Sequence, residues 1–287
     1  MTIRPTTYDL AMLGADYPLR DGPPLKSLIL FSHMRSGSTM LGEILYYAGG
    51  LGCPLEYFHR GFQPGFVQRW KTDSADDYLK ALHLLRTDPS GAFSTKLFWQ
   101  DLVAIAQERQ PDRFAGLEMR DADEIDDEVY RDIMAILNDM MPNPTFIFLS
   151  RIDFIRQAVS SVLAAQSGLW RDIPGQGPEI QETVRYDYDE IARAITVHRN
   201  CLRHWEHLFA ANGVSPYRVE YEQLKADPER VTRELLSFLG HPFSPPVIRM
   251  QRQANPQSED FVRRFLAELF ETTNPSDPDG ILQPQVD

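Results

Sequence analysis

The chain has 287 residues, 43% of them hydrophobic and 24% charged, the composition of a globular protein that buries its own core without disulfide or metal staples. A net charge of -12 argues against a nucleic-acid binder, because neutralising a phosphate backbone takes a surplus of Lys and Arg; any anion site must therefore be a local concentration of cations and helix N-termini. The two cysteines, Cys53 and Cys201, lack metal-ligand spacing, and no transmembrane or secretory stretch is visible, so a soluble cytoplasmic protein is expected.

Residues 1–24 mix Pro, Gly and polar groups and are expected to form an irregular extension before a domain spanning 25–272. Leu25 to Ser32 is a short apolar run with the pattern of a buried strand. After a small-residue loop, Met40, Leu41, Ile44, Leu45 and Ala48 recur at helical spacing, and Gly49-Gly50 supplies the stop. A helix over Asp76–Thr87 and a strand over Ala92–Trp99 follow, then an acidic surface excursion over 111–130. Asp126–Met141 reads as a helix and Thr145–Ser150 as a third buried strand, leading through Arg151 into a helix with Ile155, Ala158, Val159, Val162 and Leu163 on one face. Residues 172–187 are rich in Pro and Gly and predict a mobile loop. Asp189–Asn212 is the longest helix. A short strand over Tyr217–Tyr221, a helix from Asp227-Pro228 to Gly240 and a last helix over Ser258–Phe270 precede a polar tail, 273–287, expected to be disordered. Strands alternating with helices predict a single α/β domain with a central, mostly parallel sheet flanked by helices.

The loop Arg35-Ser36-Gly37-Ser38-Thr39 carries the most chemistry. At the junction of a strand and a helix, unpaired backbone N–H groups attract phosphate oxygens; Gly37 permits close approach, the hydroxyls of Ser36, Ser38 and Thr39 add donors, and Arg35 adds a fixed cation. The alternative is a surface turn whose serines cap the helix. The pattern is P-loop-like but is not GxxxxGK[ST], and no strand ends in an Asp suited to magnesium.

The stretch RSGSTMLGEILYYAGGLGCPLEYF, Arg35 to Phe58, resembles the opening of the bacterial sulfotransferases of the trehalose 2-sulfotransferase family, which use 3′-phosphoadenosine-5′-phosphosulfate (PAPS). Pro54-Leu55-Glu56-Tyr57-Phe58 matches that family's Pro-x-Glu-aromatic-Phe element, and Lys96-Leu97-Phe98-Trp99 its Lys-Leu-x-Trp segment. Arg151 through Gln157-Ala158-Val159-Ser160 is similar to its 3′-phosphate motif, Gln166 to Arg171 to its Gln-x-x-x-Trp-Arg stretch, and Arg252-Gln253-Ala254-Asn255 to its C-terminal nucleotide loop. The five elements fall in the expected order across residues 25–270.

The resemblance implies a sulfotransferase fold that moves a sulfuryl group from PAPS to a hydroxyl of a small carbohydrate or glycolipid-type acceptor, leaving 3′,5′-adenosine diphosphate. It implies Glu56 as general base and admits a homodimer; Arg35 and Lys96 are the candidates to neutralise the leaving group, as preorganised cations do in phosphoryl transfer. The donor would be held by Arg35, Ser36, Gly37, Ser38 and Thr39, with Arg151 and Ser160 on the 3′-phosphate, Tyr221 on the adenine and Arg252 from the C-terminal loop. The residues alone leave alternatives open. Arg151 could pair with Asp153, Ser161 competes with Ser160, Glu56 could be an exposed loop residue, Lys96 could pair with a carboxylate, Tyr221 could be core, and Arg252 could be a plain surface arginine. His33 reads as structural, and His204 and His207 do not make a zinc site, so no metal is expected. A metal-dependent kinase with an atypical phosphate loop and a non-catalytic adenine-nucleotide binder are the two competing functions.

Overall fold

The computed structural model describes residues 9–11, 13–19, 22–170, 184–249 and 256–272. Arg171, Arg252, the expected tail at 273–287 and most of the expected loop at 172–187 lie outside the described residues.

Four strands, β1 (Lys26–Ser32), β2 (Ala92–Phe98), β3 (Pro144–Ser150) and β4 (Tyr217–Glu220), form one sheet in the order β2-β1-β3-β4, with every pairing parallel. Parallel neighbours need helical crossovers, supplied by α1 (Ser38–Ala48), α2 (Gln63–Trp70), α3 (Ala75–Arg86), α4 (Trp99–Arg109), α5 (Asp127–Met140), α6 (Phe154–Ser167) and α7 (Tyr188–Asn212). Helices α8 (Tyr221–Ala226), α9 (Pro228–Phe238) and α10 (Pro256–Thr272) follow β4. Three-residue 3-10 turns at Asp9–Ala11 and Leu13–Ala15 lie in the N-terminal extension, and two more punctuate the acidic excursion.

The two faces of the sheet are read directly from alternation along β1. Leu28 and Leu30 point into a core with Leu41, Ile44 and Leu45 of α1 and Val231, Leu235 and Leu236 of α9. Ile29 and Phe31 point the other way, against Leu102 and Ile105 of α4, Ile133 of α5, and Trp205 and Phe209 of α7. A third cluster joins α6, α7 and α10 through Val159, Val162, Ile191, Phe261 and Phe265. The result is the α/β sandwich that the alternating elements predict.

Three helices escape the sequence pattern. Trp99, expected as the end of a strand, is the first residue of α4, because Asp101 turns back to accept from the Phe98 amide at 3.0 Å and caps the new helix with no intervening loop. Tyr221, expected at a strand end, opens α8 directly after β4. Helix α2 had no counterpart in the periodicity.

β2 and β3 lie on opposite sides of β1, so the chain reverses its winding there. The ends of β1 and β3 open beside each other, which is where open α/β sheets place their ligands.

Candidate functional site

The loop leaving β1 is held from below. Trp205 Nε1 donates to the Ser32 carbonyl at 3.0 Å and Ser32 Oγ donates to the Leu149 carbonyl at 3.1 Å, locking the end of β1 to β3 and α7. Ser36 Oγ donates to the His33 carbonyl at 2.6 Å, so this serine braces the loop rather than the helix. Gly37 is the N-cap of α1 and no side chain caps it. The serines therefore do not perform the capping that was the alternative for this loop.

Two residues in the loop have left-handed backbone, Arg35 at φ 61° and Gly37 at φ 85°. Alternating handedness turns successive N–H groups toward one concave side, the geometry of an anion nest. For Arg35 the conformation is costly, of order 1–3 kcal/mol, and such strain concentrates at functional sites. Gly37 has a second constraint, since a Cβ there would sit 2.4 Å from Cδ2 of Tyr221.

Two arginines meet over this loop. Arg151 Nη1 donates to the Arg35 carbonyl at 2.9 Å, and Arg35 Nε donates to Ser160 Oγ at 2.8 Å while its Nη1 reaches the Trp170 carbonyl at 2.6 Å. The Arg151 guanidinium stands 4.7 Å over the Tyr221 ring, placing that tyrosine between Gly37 and Arg151. Asp153 does not take Arg151; it caps α6 and pairs with Arg156 at 3.0 Å. The carboxylate near Arg151 is Glu222, 4.0 Å away, whose oxygens accept from the amides of Ile152 and Asp153.

Ser160 and Ser161 separate cleanly. Ser160 accepts from Arg35, whereas Ser161 is buried and bonds the Gln157 carbonyl at 3.1 Å and His198 Nε2 at 3.0 Å. Gln157 itself donates to the Met34 carbonyl at 2.8 Å, a further brace on the loop that the sequence pattern contains without announcing.

Glu56 is 7% exposed and Lys96 1%, and their Oε1 and Nζ lie 2.9 Å apart. The glutamate is thus no exposed loop residue, and the carboxylate partner of Lys96 is Glu56 itself. Lys96 Nζ also reaches Thr39 Oγ1 at 3.4 Å, tying the pair to the first turn of α1. The segment carrying Glu56 returns to the sheet because the Leu55 carbonyl accepts from Lys96 N at 2.9 Å and Thr95 Oγ1 at 3.2 Å. From Glu56 through Lys96, Thr39 and the loop to Arg35, Ser160, Arg151 and Tyr221, the predicted residues form one continuous cluster; Arg252 lies outside the described residues.

A small, partly open cleft sits beneath the loop, lined in part by His33, Ser36, Arg151, Gln157, His198 and Trp205. His33 and His198 stand 4.7 Å apart edge to face. Burial pushes both imidazoles down, His198 to about 4, so both are neutral near pH 7. Behind Glu56 lies Asp101, 2% exposed, whose carboxyl burial pushes up to about 7 against the Phe98 amide bond and with the added repulsion of Glu56. Sequence reasoning passed over Asp101, since nothing in a one-dimensional pattern marks a helix-capping aspartate as neighbour to a distant glutamate.

His204 stacks on Trp99 at 4.3 Å and bonds the Tyr130 hydroxyl at 2.9 Å, a core role. Among the described residues no group of three or more His, Cys, Asp or Glu could hold a metal ion, and no helix is long and apolar enough to cross a membrane.

The Stf0 sulphotransferase family model matches residues 27–268. Trehalose 2-sulfotransferase of Mycobacterium tuberculosis is 27% identical over 270 residues, covering 85% of this chain and 96% of that protein. Its counterpart from Mycolicibacterium smegmatis is 29% identical over 259 residues, covering 84% and 94%. The crystal structure of a sulfotransferase from Alicyclobacillus acidocaldarius is 13% identical with a TM-score of 0.45, covering 86% of this chain and 92% of that one.

Proposed function

The chain belongs to the Stf0 sulphotransferase family, and on that premise we propose that it transfers the sulfuryl group of PAPS to a hydroxyl of a carbohydrate or glycolipid-type acceptor. The observation that carries the reading is the buried Glu56–Lys96 pair at 2.9 Å, abutting a strained, uncapped anion loop with two arginines beside it. The names of the two trehalose 2-sulfotransferases support a carbohydrate as acceptor.

In this mechanism the acceptor oxygen attacks sulfur in line, the bond from sulfur to the 5′-phosphate oxygen breaks, and the acceptor proton passes to Glu56. The leaving group is 3′,5′-adenosine diphosphate. Negative charge developing on its 5′-phosphate is met by Arg35, Lys96 and the amides and hydroxyls of Ser36, Gly37, Ser38 and Thr39, cations and dipoles already in place before reaction. Lys96 touches both Glu56 and Thr39. Drawn toward the departing phosphate, it would loosen its hold on Glu56 as that carboxylate takes up the proton. Arg151 and Ser160 would hold the 3′-phosphate, Tyr221 would flank the adenine, and Arg252, outside the described residues, is assigned to the same nucleotide by the resemblance. The transferred group carries one negative charge where a phosphoryl group carries two, so side-chain cations suffice and no divalent metal enters this reading. The two buried free thiols, Cys53 and Cys201, support a reducing, cytoplasmic setting. A homodimer belongs to the same proposal and is read by light scattering.

The test is incubation with radiolabelled PAPS and a panel of disaccharides, trehalose included, and glycolipids. Label moves to a carbohydrate, EDTA leaves the rate unchanged, and Glu56→Gln is silent while still binding 3′,5′-adenosine diphosphate. An EDTA-sensitive reaction with ATP points to the kinase. Tight nucleotide binding without transfer to any acceptor points to a binding protein.

A further inference from the structure

Arg86 is a fully buried cation that takes no part in the chemistry above. Its Nη2 pairs with Asp16 Oδ1 at 2.9 Å, and its Nη1 donates to the carbonyls of Leu10 at 2.9 Å and Ala15 at 3.1 Å. All these partners belong to the N-terminal extension. Aromatic rings also lie near the guanidinium, with Tyr57 at 5.7 Å and Phe66 at 5.6 Å. Tyr57 is the residue after Glu56. Its own carbonyl accepts from the Tyr78 hydroxyl at 2.6 Å, and its hydroxyl donates to the Cys53 carbonyl at 2.8 Å.

Glu56 is thus pinned on both flanks. On one side the Leu55 carbonyl is bonded to β2. On the other, the Tyr57 carbonyl is bonded to Tyr78 and the Tyr57 ring rests near Arg86. A hydrophobic side chain would fill the Arg86 position without the desolvation cost of an ion. What the cation adds is direction: a planar fork that bonds the extension while lying near the Tyr57 ring.

We propose that Tyr78 and Arg86 are positioning residues for Glu56, acting through Tyr57, with Asp16 of the N-terminal extension holding Arg86 in place. The inference rests on Glu56 being the base. A carboxylate held a fraction of an ångström out of line loses rate while donor binding, which depends on the loop and Arg151, stays as it was.

The experiment follows consumption of radiolabelled PAPS with trehalose present, water being the fallback acceptor, in the full chain and in Tyr78→Phe, Asp16→Asn and Glu56→Gln. Tyr78→Phe deletes one hydroxyl and Asp16→Asn one charge, so a failure of one to fold leaves the other to decide. The expected result is kcat lowered about tenfold in each, with KM for PAPS and Kd for 3′,5′-adenosine diphosphate within about twofold of the parent. Backbone hydrogen exchange should quicken in the peptide over residues 53–58 and not in β1 or α1. Parent-level kcat in both variants overturns the proposal, as does a loss of kcat shared equally with donor affinity and with exchange protection throughout the chain. A parent chain that does not consume PAPS, or a Glu56→Gln variant as active as the parent, instead removes the base assignment underneath it.

Discussion

Arg151 donates a hydrogen bond to the backbone carbonyl of Arg35 at 2.9 Å, joining residues 116 positions apart. One arginine thereby sets the conformation of the loop that carries the other. Arg35 can hold its left-handed backbone because its carbonyl is fixed by Arg151 while its side chain is fixed by Ser160 and Trp170.

Replacing Arg151 with Ala therefore has two effects that separate by ligand. On the proposed assignment, any nucleotide anion on the loop would feel the loss of the Arg35 anchor, but only one bearing a 3′-phosphate would lose its charged partner. Affinity for PAPS should fall by about 2–3 kcal/mol, on the order of a hundredfold, and affinity for adenosine phosphosulfate by much less. Calorimetric titration of both ligands checks this; equal losses would refute the 3′-phosphate assignment.

Neighbouring serines offer an internal control. Ser160→Ala removes the acceptor of Arg35 Nε and should weaken PAPS binding about fivefold, near 1 kcal/mol. Ser161→Ala leaves the arginines alone and strips a partner from His198, so it should lower the thermal midpoint with donor affinity unchanged. The reverse pattern would transfer the 3′-phosphate role to Ser161.

Gly37→Ala meets two obstacles at once, a positive φ and a Tyr221 ring atom 2.4 Å from the new methyl. Backbone strain alone costs about 1–2 kcal/mol. Adding Tyr221→Ala relieves the collision but not the φ. The double variant should recover part of the lost melting temperature, and full recovery would show that the left-handed backbone costs nothing here.

The Asp101 carboxyl, pushed up to about 7 by burial, makes a signed contribution to stability. Its folded value exceeds the unfolded value near 4. Between those limits the folded chain keeps a proton that the unfolded chain releases. The contribution is complete below about pH 4 and is lost as pH rises toward about 7. His83, His198 and His204, each lowered to about 4 by burial, act in the opposite sense, present above about 6.5 and lost as pH falls. Urea midpoints of Asp101→Asn against the parent isolate the carboxyl. The substitution should cost more at pH 5 than at pH 8, where the parent carries a buried charge and the amide does not. A cost independent of pH would place the Asp101 titration elsewhere.

Strands β1 and β3 were legible because buried parallel strands are unbroken apolar runs, and Gly or Pro marks their ends. Helices α4 and α8 were not, because Phe98-Trp99 and Glu220-Tyr221 pass from strand to helix with no loop residue between them. The loop from Arg35 to Thr39 stood out since its glycine and hydroxyls are contiguous. Glu56 and Lys96 could each be picked out from motif residues, but their contact was not foreseen, since it depends on how the chain returns from α1. Helical spacing alone could not choose between Ser160, which the resemblance named, and Ser161: both sit on the same helix, one residue apart, and it is His198 on another helix that draws Ser161 inward. Arg86, Asp16 and Tyr78 gave no linear signal, as they meet only when the N-terminal extension lies across α3.

Because all four strands run parallel, no two neighbours in the sheet can zip together through a tight turn. Ser27 pairs with Pro144, so over a hundred residues of chain must be looped out before the pocket between β1 and β3 exists at all. A nucleotide that needs both strand ends can bind only molecules that have completed this closure. Supplying 3′,5′-adenosine diphosphate during refolding should accordingly raise the yield of native protein by mass action, drawing off the finished form as it appears.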